Sequence, residues 1–299
     1  MWLPRFQCEC GGTFATEPAP AHSCPACGVR LEQEDGVFRC LPPSRLAAAE
    51  PFLAQYRVVR QRDGYRADRA EYYRSLPDVE AGDPQWHIWR VRQRSFHRLL
   101  WLLRSRKSRA PQAVLDLGAG SGWLSYRLTK AGCRSVAVDL LIDDRDGLGV
   151  RGHYDVAFPC VQADFDALPF VPAQFDVVVF NGSLHYAPDV TSTLCRASRM
   201  LAARGILVVV DSPLFEQESA GRAMRARNRE RLRTEYGVVL PIEPGEGFLT
   251  FPRLSACATT LGMSARFFPS YGSFRQRLGW MASRLADPDP AHFGVWVAA

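Results

Sequence analysis

From residue 113 onward, short and nearly unbroken apolar runs alternate with stretches of helical composition. Ala113-Val114-Leu115-Asp116-Leu117 is the first such run, closed by glycines, and Trp123 to Lys130 has the composition of a helix. Ser135 to Asp139, Cys160 to Asp164, Phe175 to Phe180 and Gly205 to Asp211 read as the second to fifth strands. Val190 to Leu201 reads as a helix, with Gly205 supplying the turn after it. Apolar, β-branched strands without polar alternation are buried on both faces, which is the condition of a parallel sheet covered by helices. Arg266-Phe267-Phe268 and Val295-Trp296-Val297 are expected to close the sheet as a last antiparallel pair. The pattern predicts an α/β fold, a Rossmann-like, doubly wound and mostly parallel sheet of seven strands.

Upstream the pattern changes twice. Residues 1–43 are rich in Cys, Gly and Pro and end at Leu41-Pro42-Pro43. Residues 44–110 read as a helical, basic linker or lid with an aromatic cluster of Tyr72, Tyr73, Trp86 and Trp89. Three regions follow: 1–43, 44–110 and 111–299. The composition, 47% hydrophobic and 23% charged, is that of a globular chain. It has no apolar run of about 20 residues to span a membrane and no secretory pattern at its start, so a cytoplasmic location without membrane attachment is expected.

The net charge of +6 is uneven. Arg57 to Arg109 holds fourteen basic and six acidic residues, and Arg222, Arg225, Arg227, Arg229, Arg231 and Arg233 form a second run. Such runs meet phosphates or line solvated helix faces. Lys supplies only two of the 37 basic residues, which favours a general Arg bias.

The sharpest chemical signal is Asp116-Leu117-Gly118-Ala119-Gly120-Ser121-Gly122, between the first strand and a helix. Glycines there permit a tight turn and close approach of a ligand to the backbone, and the helix N-terminus favours a carboxylate. A dinucleotide fingerprint requires a third glycine where Trp123 stands. Asp139, ending the second strand, is placed to accept from two ribose hydroxyls.

This spacing resembles motif I of class I S-adenosylmethionine-dependent methyltransferases. The resemblance runs to about Asp211. Val161 to Phe170 is similar to the third-strand motif of the ubiquinone/menaquinone-biosynthesis type, which implies that Asp164 and Phe165 bracket the adenine. Phe175 to Tyr186 resembles the fourth-strand motif ending beside the transferred methyl. The resemblance implies S-adenosyl-L-methionine as cofactor, held by Asp116, Gly118, Ala119, Gly120, Gly122, Asp139, Leu140, Asp164, Phe165 and Asn181. Asp116 has a second reading as a brace of the glycine loop, and Asn181 as a turn former. Residues 213–262 are expected to build the acceptor pocket. The methyl of a sulfonium is already activated, so orientation carries much of the catalysis. His185 is the candidate general base, with a pocket-lining structural role as its alternative.

Cys24-Pro25-Ala26-Cys27-Gly28 is a knuckle that aims two thiolates at one centre, and Cys8-Glu9-Cys10 is a second pair. The clustering favours a structural zinc site of four thiolates, in a zinc-ribbon-like module. The preferred ligands are Cys8, Cys10, Cys24 and Cys27, with Cys40 as substitute and His22 also in reach. Cys133, Cys160, Cys195 and Cys257 read as small buried side chains. The layout of Cys24 to Cys40 before such a domain is also similar to bacterial large-subunit rRNA guanine-N1 methyltransferases. Three functions therefore stand: methyl transfer to a small molecule, which is preferred; methylation of an RNA base; and a non-catalytic zinc-bearing interaction protein.

Overall fold

The structure is a computed structural model, and it describes residues 2–14, 23–65, 67–106, 110–238, 241–270 and 289–299; His22 lies outside the described residues. The N-terminal part contributes β1 (Glu32–Glu34), β2 (Val37–Arg39), α1 (Pro43–Arg62), α2 (Ala70–Ser75) and α3 (Trp86–Ser105). Then come β3 (Ala113–Leu117), α4 (Trp123–Lys130), β4 (Arg134–Asp139), β5 (Cys160–Gln162), β6 (Phe175–Asn181), α5 (Val190–Ser198) and β7 (Leu201–Val210). The last third holds β8 (Leu214–Phe215), α6 (Glu218–Tyr236), β9 (Leu249–Thr250), α7 (Phe251–Thr260), β10 (Ala265–Pro269) and β11 (Gly294–Ala298).

All seven expected strands share one sheet, in the order β5-β4-β3-β6-β7-β11-β10, with β11 antiparallel to both neighbours. The count of seven needs correction, because β2 adds to β5 in parallel and β1 adds to β2, giving nine strands. Each added strand is three residues long, too short to show a period. What holds them is tertiary: Phe38 is 1% exposed and packs against Phe6 at 4.8 Å between ring centroids.

Alternate residues serve the two sheet faces, as the pleat requires. Leu115, Leu117, Val136 and Val138 face one apolar layer, which receives Leu194 of α5 and Leu254 of α7. Val114, Ala137, Val177 and Val179 face the other, which receives Phe96, Leu99 and Leu103 of α3. Fully burying each such side chain contributes about 1.5–3 kcal/mol. Trp123, standing where a dinucleotide fold needs glycine, turns its indole toward α3, edge-on to Trp89 at 5.7 Å and to Phe96 at 5.9 Å.

The basic segment is helical as expected, and its aromatic cluster both packs the core and, through Tyr72, Tyr73 and Trp89, lines the cleft described below. Tyr73 is 1% exposed and donates its hydroxyl to the carbonyls of Ala67 and Arg145. The element lying over the C-terminal ends of the strands is α1. Among the described residues no helix is long and apolar enough to cross a membrane.

Candidate functional site: a roofed cleft and a cysteine cluster

Gly118, Gly120 and Gly122 all have positive φ, of 71°, 55° and 75°. At Gly118 a Cβ would lie 2.3 Å from that of Ser183, so no side chain fits between β3 and the end of β6. The loop is fastened to β4: Gly118 and Ala119 donate to Val138 O at 2.9 and 3.0 Å, and Gly120 donates to Asp139 Oδ2 at 2.7 Å. The other oxygen of Asp139 accepts the N–H of Leu141 at 2.8 Å. Burial pushes the Asp139 carboxyl up to about 6 even though these N–H groups favour its ionised form.

The cleft has two connected lobes that share Tyr56, Gly118, Gly120, Asp146 and Gly182. The larger, of about 480 Å³, is walled by Asp139, Leu140, Asp164 and Phe165 and roofed by α1. The smaller is enclosed by the glycine loop, Ala119, Asn181, Arg60, Arg92, Tyr72 and Trp89. Eight of the ten residues singled out for the cofactor thus come to one cleft. Asp116 and Gly122 stand behind it. Asp116 is 0% exposed and accepts the Ser125 hydroxyl at 2.9 Å, which ties β3 to α4; burial pushes its carboxyl up to about 7. Gly122 abuts Phe158, 3.3 Å from where a Cβ would point.

His185 sits in the turn after β6, with Nδ1 3.2 Å from Ser212 Oγ. Burial, and then the charge of Arg92, push its pKa down to about 4. It is neutral at pH 7 but a weak base, and it is not among the residues walling either lobe.

Within the segment expected to be a linker or lid, sequence reasoning did not single out the residues that form the roof. Arg45, Ala48, Ala49, Phe52, Leu53 and Tyr56 of α1 all face the larger lobe, at the spacing of one helical face. Arg45 donates to Asp164 Oδ2 at 2.7 Å at one end, and Arg60 forms a two-pronged pair with Asp146 at 2.5 and 2.8 Å at the other. Gln55 exchanges two hydrogen bonds with the backbone of Ile242, joining the roof to the 241–247 loop. That face was visible in the spacing; Asp146, in the loop after β4, carries no local signal.

The sulfur atoms of Cys8, Cys10, Cys24 and Cys27 all lie within 4.8 Å of one another. Cys8 is 3.6 Å from Cys27 and Cys10 is 3.5 Å from Cys24. Cys8 and Cys10 sit on a knuckle closed by Cys8 N–H to Gly12 O and Gly11 N–H to Cys8 O; Cys24 and Cys27 sit on another, closed by Gly28 N–H to Cys24 O. A Cβ on Gly12 would lie 2.5 Å from Cys24 Sγ, so the glycine makes room for the thiols. Cys40 stands apart, half-buried beside the end of β5, and donates its N–H to Gln162 O.

A doubly wound sheet with a positive-φ glycine loop at the carboxyl end of its first parallel strand, and an acid ending the next, builds the ligand crevice of an open α/β sheet. Residues 115–209 match the family model described as a methyltransferase domain. The chain is 32% identical over 118 residues to a malonyl-[acyl-carrier protein] O-methyltransferase of Hahella chejuensis, covering 37% of this chain and 41% of that protein. It is 29% identical over 115 residues to the ubiquinone/menaquinone biosynthesis C-methyltransferase UbiE of Rhizobium leguminosarum, covering 35% and 45%. The chain spans less than half the length of these relatives. Among solved structures, magnesium protoporphyrin IX methyltransferase from Synechocystis superposes with a TM-score of 0.47 at 15% identity, covering 77% of this chain and 96% of that one.

Proposed function

We propose that the chain transfers the methyl group of S-adenosylmethionine to a small-molecule acceptor. The observation that carries this reading is the joint placement of the glycine loop, Asp139, Asp164 and Phe165 on the wall of one roofed cleft. The sulfonium supplies the activated methyl when bound. The chain's own residues align and shield it. Asp139 accepts from ribose hydroxyls, Phe165 and Leu140 offer apolar faces to a purine, and Asp164 accepts from its amino group. The smaller lobe suits an amino-acid tail, with the Arg92 guanidinium available to its carboxylate. α1 excludes water from above, so the contribution of this geometry is orientation, which reaches roughly 7–11 kcal/mol in well-arranged reactions.

Small acceptors agree with the names of the relatives, a malonyl-carrier methyltransferase and a quinone-biosynthesis methyltransferase. The alternative of an RNA acceptor draws little support from α6. Arg222, Arg225, Arg229, Arg231 and Arg233 of α6 are each ion-paired, with Glu218, Glu243, Asp63 or Glu230, so much of that charge is already met. The 213–262 segment reaches the cleft through Ile242 and Pro244, which fits its expected role beside the acceptor.

The cysteine cluster fits zinc. Four thiolates about 2.3 Å from a tetrahedral ion stand about 3.8 Å apart, close to the two sulfur separations found here. Cys8, Cys10, Cys24 and Cys27 would hold it, leaving no open position for chemistry. We accordingly divide the chain into a metal module (1–43), a roof segment (44–110) and the methyltransferase domain (111–299).

Calorimetry tests the reading. S-adenosylhomocysteine should bind the full chain and NAD should not; heat with NAD alone, or with neither, would overturn it. Radiolabelled methyl from the cofactor, incubated with fractionated extract, should appear in metabolites rather than RNA.

A further inference from the structure

The four-cysteine module lies next to the roof of the cleft in both sequence and space. Two residues before Cys8, Phe6 is 2% exposed and wedged between Phe38 of β2 at 4.8 Å and Phe170 at 5.4 Å. Gln7 donates to Pro169 O and Val171 donates to Arg5 O, both at 3.0 Å, so the first knuckle is laced to the segment that follows the Asp164–Phe165 wall. On the other side of the module, β2 pairs along β5, Arg39 donates to the side chain of Gln162 at 3.2 Å, and Cys40 donates to its carbonyl. α1 begins three residues after Cys40, and Arg45 in its first turn is already on Asp164.

The roof helix is therefore launched from a strand only three residues long. That strand is held by β5 on one side and by the cysteine module, through Phe6 and β1, on the other. Among the described residues the module has little core of its own: outside β2 and the Phe6 contact, its buried apolar side chains include Cys8, Phe14, Cys24 and Leu31. A segment this small takes its order from the metal that joins its knuckles. The pins of α1 to the cleft are unequal as well. Arg45 and Asp164 are part-exposed, a pairing worth at most about 1 kcal/mol, so the end of α1 nearest the module depends on where β2 points it.

We propose that occupancy of the four-cysteine site governs how firmly the N-terminal half of α1 is held over the cleft, so that metal binding sets cofactor affinity. This rests on the reading of the cleft as a cofactor site and of the thiols as zinc ligands. It assigns the module a role in the methyltransferase site itself. The coupling needs no conformational relay through the sheet, because the thiol knuckles, β2 and α1 follow one another along the chain.

The test compares the full chain loaded with zinc, the same chain stripped by a chelator, and Cys24→Ser. Each is read by zinc content, by calorimetry with S-adenosylhomocysteine, and by hydrogen exchange resolved over α1 and over β3 and β6. On stripping, affinity should fall about tenfold if the roof is then docked a tenth of the time. α1 amides should exchange faster while β3 and β6 stay protected, and added zinc should restore the stripped chain but not Cys24→Ser. Unchanged α1 exchange and affinity after complete loss of zinc would overturn the proposal. So would loss of protection in β3 and β6 together with α1, since the module would then support the whole fold. If the zinc-loaded chain binds no S-adenosylhomocysteine, the functional reading itself falls, and α1 exchange still reports on the coupling.

Discussion

Oδ2 of Asp139 accepts the N–H of Gly120 at 2.7 Å, so the acid that ends β4 holds the glycine loop by its crest. Burial favours the neutral form of this carboxyl and raises its pKa to about 6. The folded value lies above the unfolded one, so this group's contribution to stability is present at low pH and is lost as pH rises through 6. If Asp139 receives ribose hydroxyls as proposed, ligand binding runs the other way, because those hydroxyls donate to the ionised form. Affinity for S-adenosylhomocysteine should therefore weaken roughly tenfold per pH unit below 6 and level off above it. Calorimetry from about pH 5 to pH 8 checks this. A flat profile in the native chain would remove Asp139 from the binding site, and Asp139→Asn should lose both the affinity and its pH dependence.

Arg60 and Asp146 are both largely buried and meet through two hydrogen bonds, whereas Arg45 and Asp164 meet at a partly open edge. Removing one partner of a buried pair strands the other charge. Arg60→Ala should destabilise the fold by about 3–5 kcal/mol in urea unfolding, while Arg45→Ala should cost under about 1 kcal/mol. Equal losses would mean that the two ends of α1 are held alike.

Arg92 lies over the Trp89 ring at 4.7 Å and walls the smaller lobe, and among the described residues no carboxylate is within ion-pair distance of it. If it receives the carboxylate of the cofactor tail, Arg92→Gln should weaken S-adenosylhomocysteine about ten- to a hundredfold. Binding of 5′-methylthioadenosine, which has no such tail, should not change. A parallel loss for both ligands would point to damaged packing instead.

His185 is held neutral by burial and by the neighbouring Arg92 charge, with its pKa near 4. A positioned general base contributes about 100- to 10,000-fold. The low pKa and the placement outside the cleft wall predict less: His185→Asn should reduce kcat by under about tenfold, with no inflection near pH 6.5 in the wild-type rate profile. A loss of a thousandfold would restore His185 as the base.

The sheet was legible because its strands are buried on both faces and its turns carry glycine. The predicted runs at 113–117 and 175–180 coincide with β3 and β6 to within a residue, and the helix from Trp123 to Lys130 coincides with α4. The wall of the cleft was legible because its residues follow strand ends at family spacing. The N-terminal addition to the sheet was not: β1 and β2 are three-residue strands whose partner β5 lies more than a hundred residues away. The roof was half legible, since the face from Arg45 to Tyr56 has helical spacing but nothing local says what it covers. For Asp116 the motif left two readings open, ligand contact and a brace under the loop, and the Ser125 hydrogen bond favours the brace.

One consequence of the short hairpin concerns the rim of the molecule. Without it, β5 would present bare ladder N–H and C=O groups next to Val161, an invitation to foreign strands. With it, the outermost strand is Glu32-Gln33-Glu34, exposed along its length and bearing two glutamates, of which Glu34 pairs with Arg39; charged side chains on an edge disfavour a further strand laid alongside. The cysteine-rich N-terminal segment thus also covers the β5 edge of the sheet.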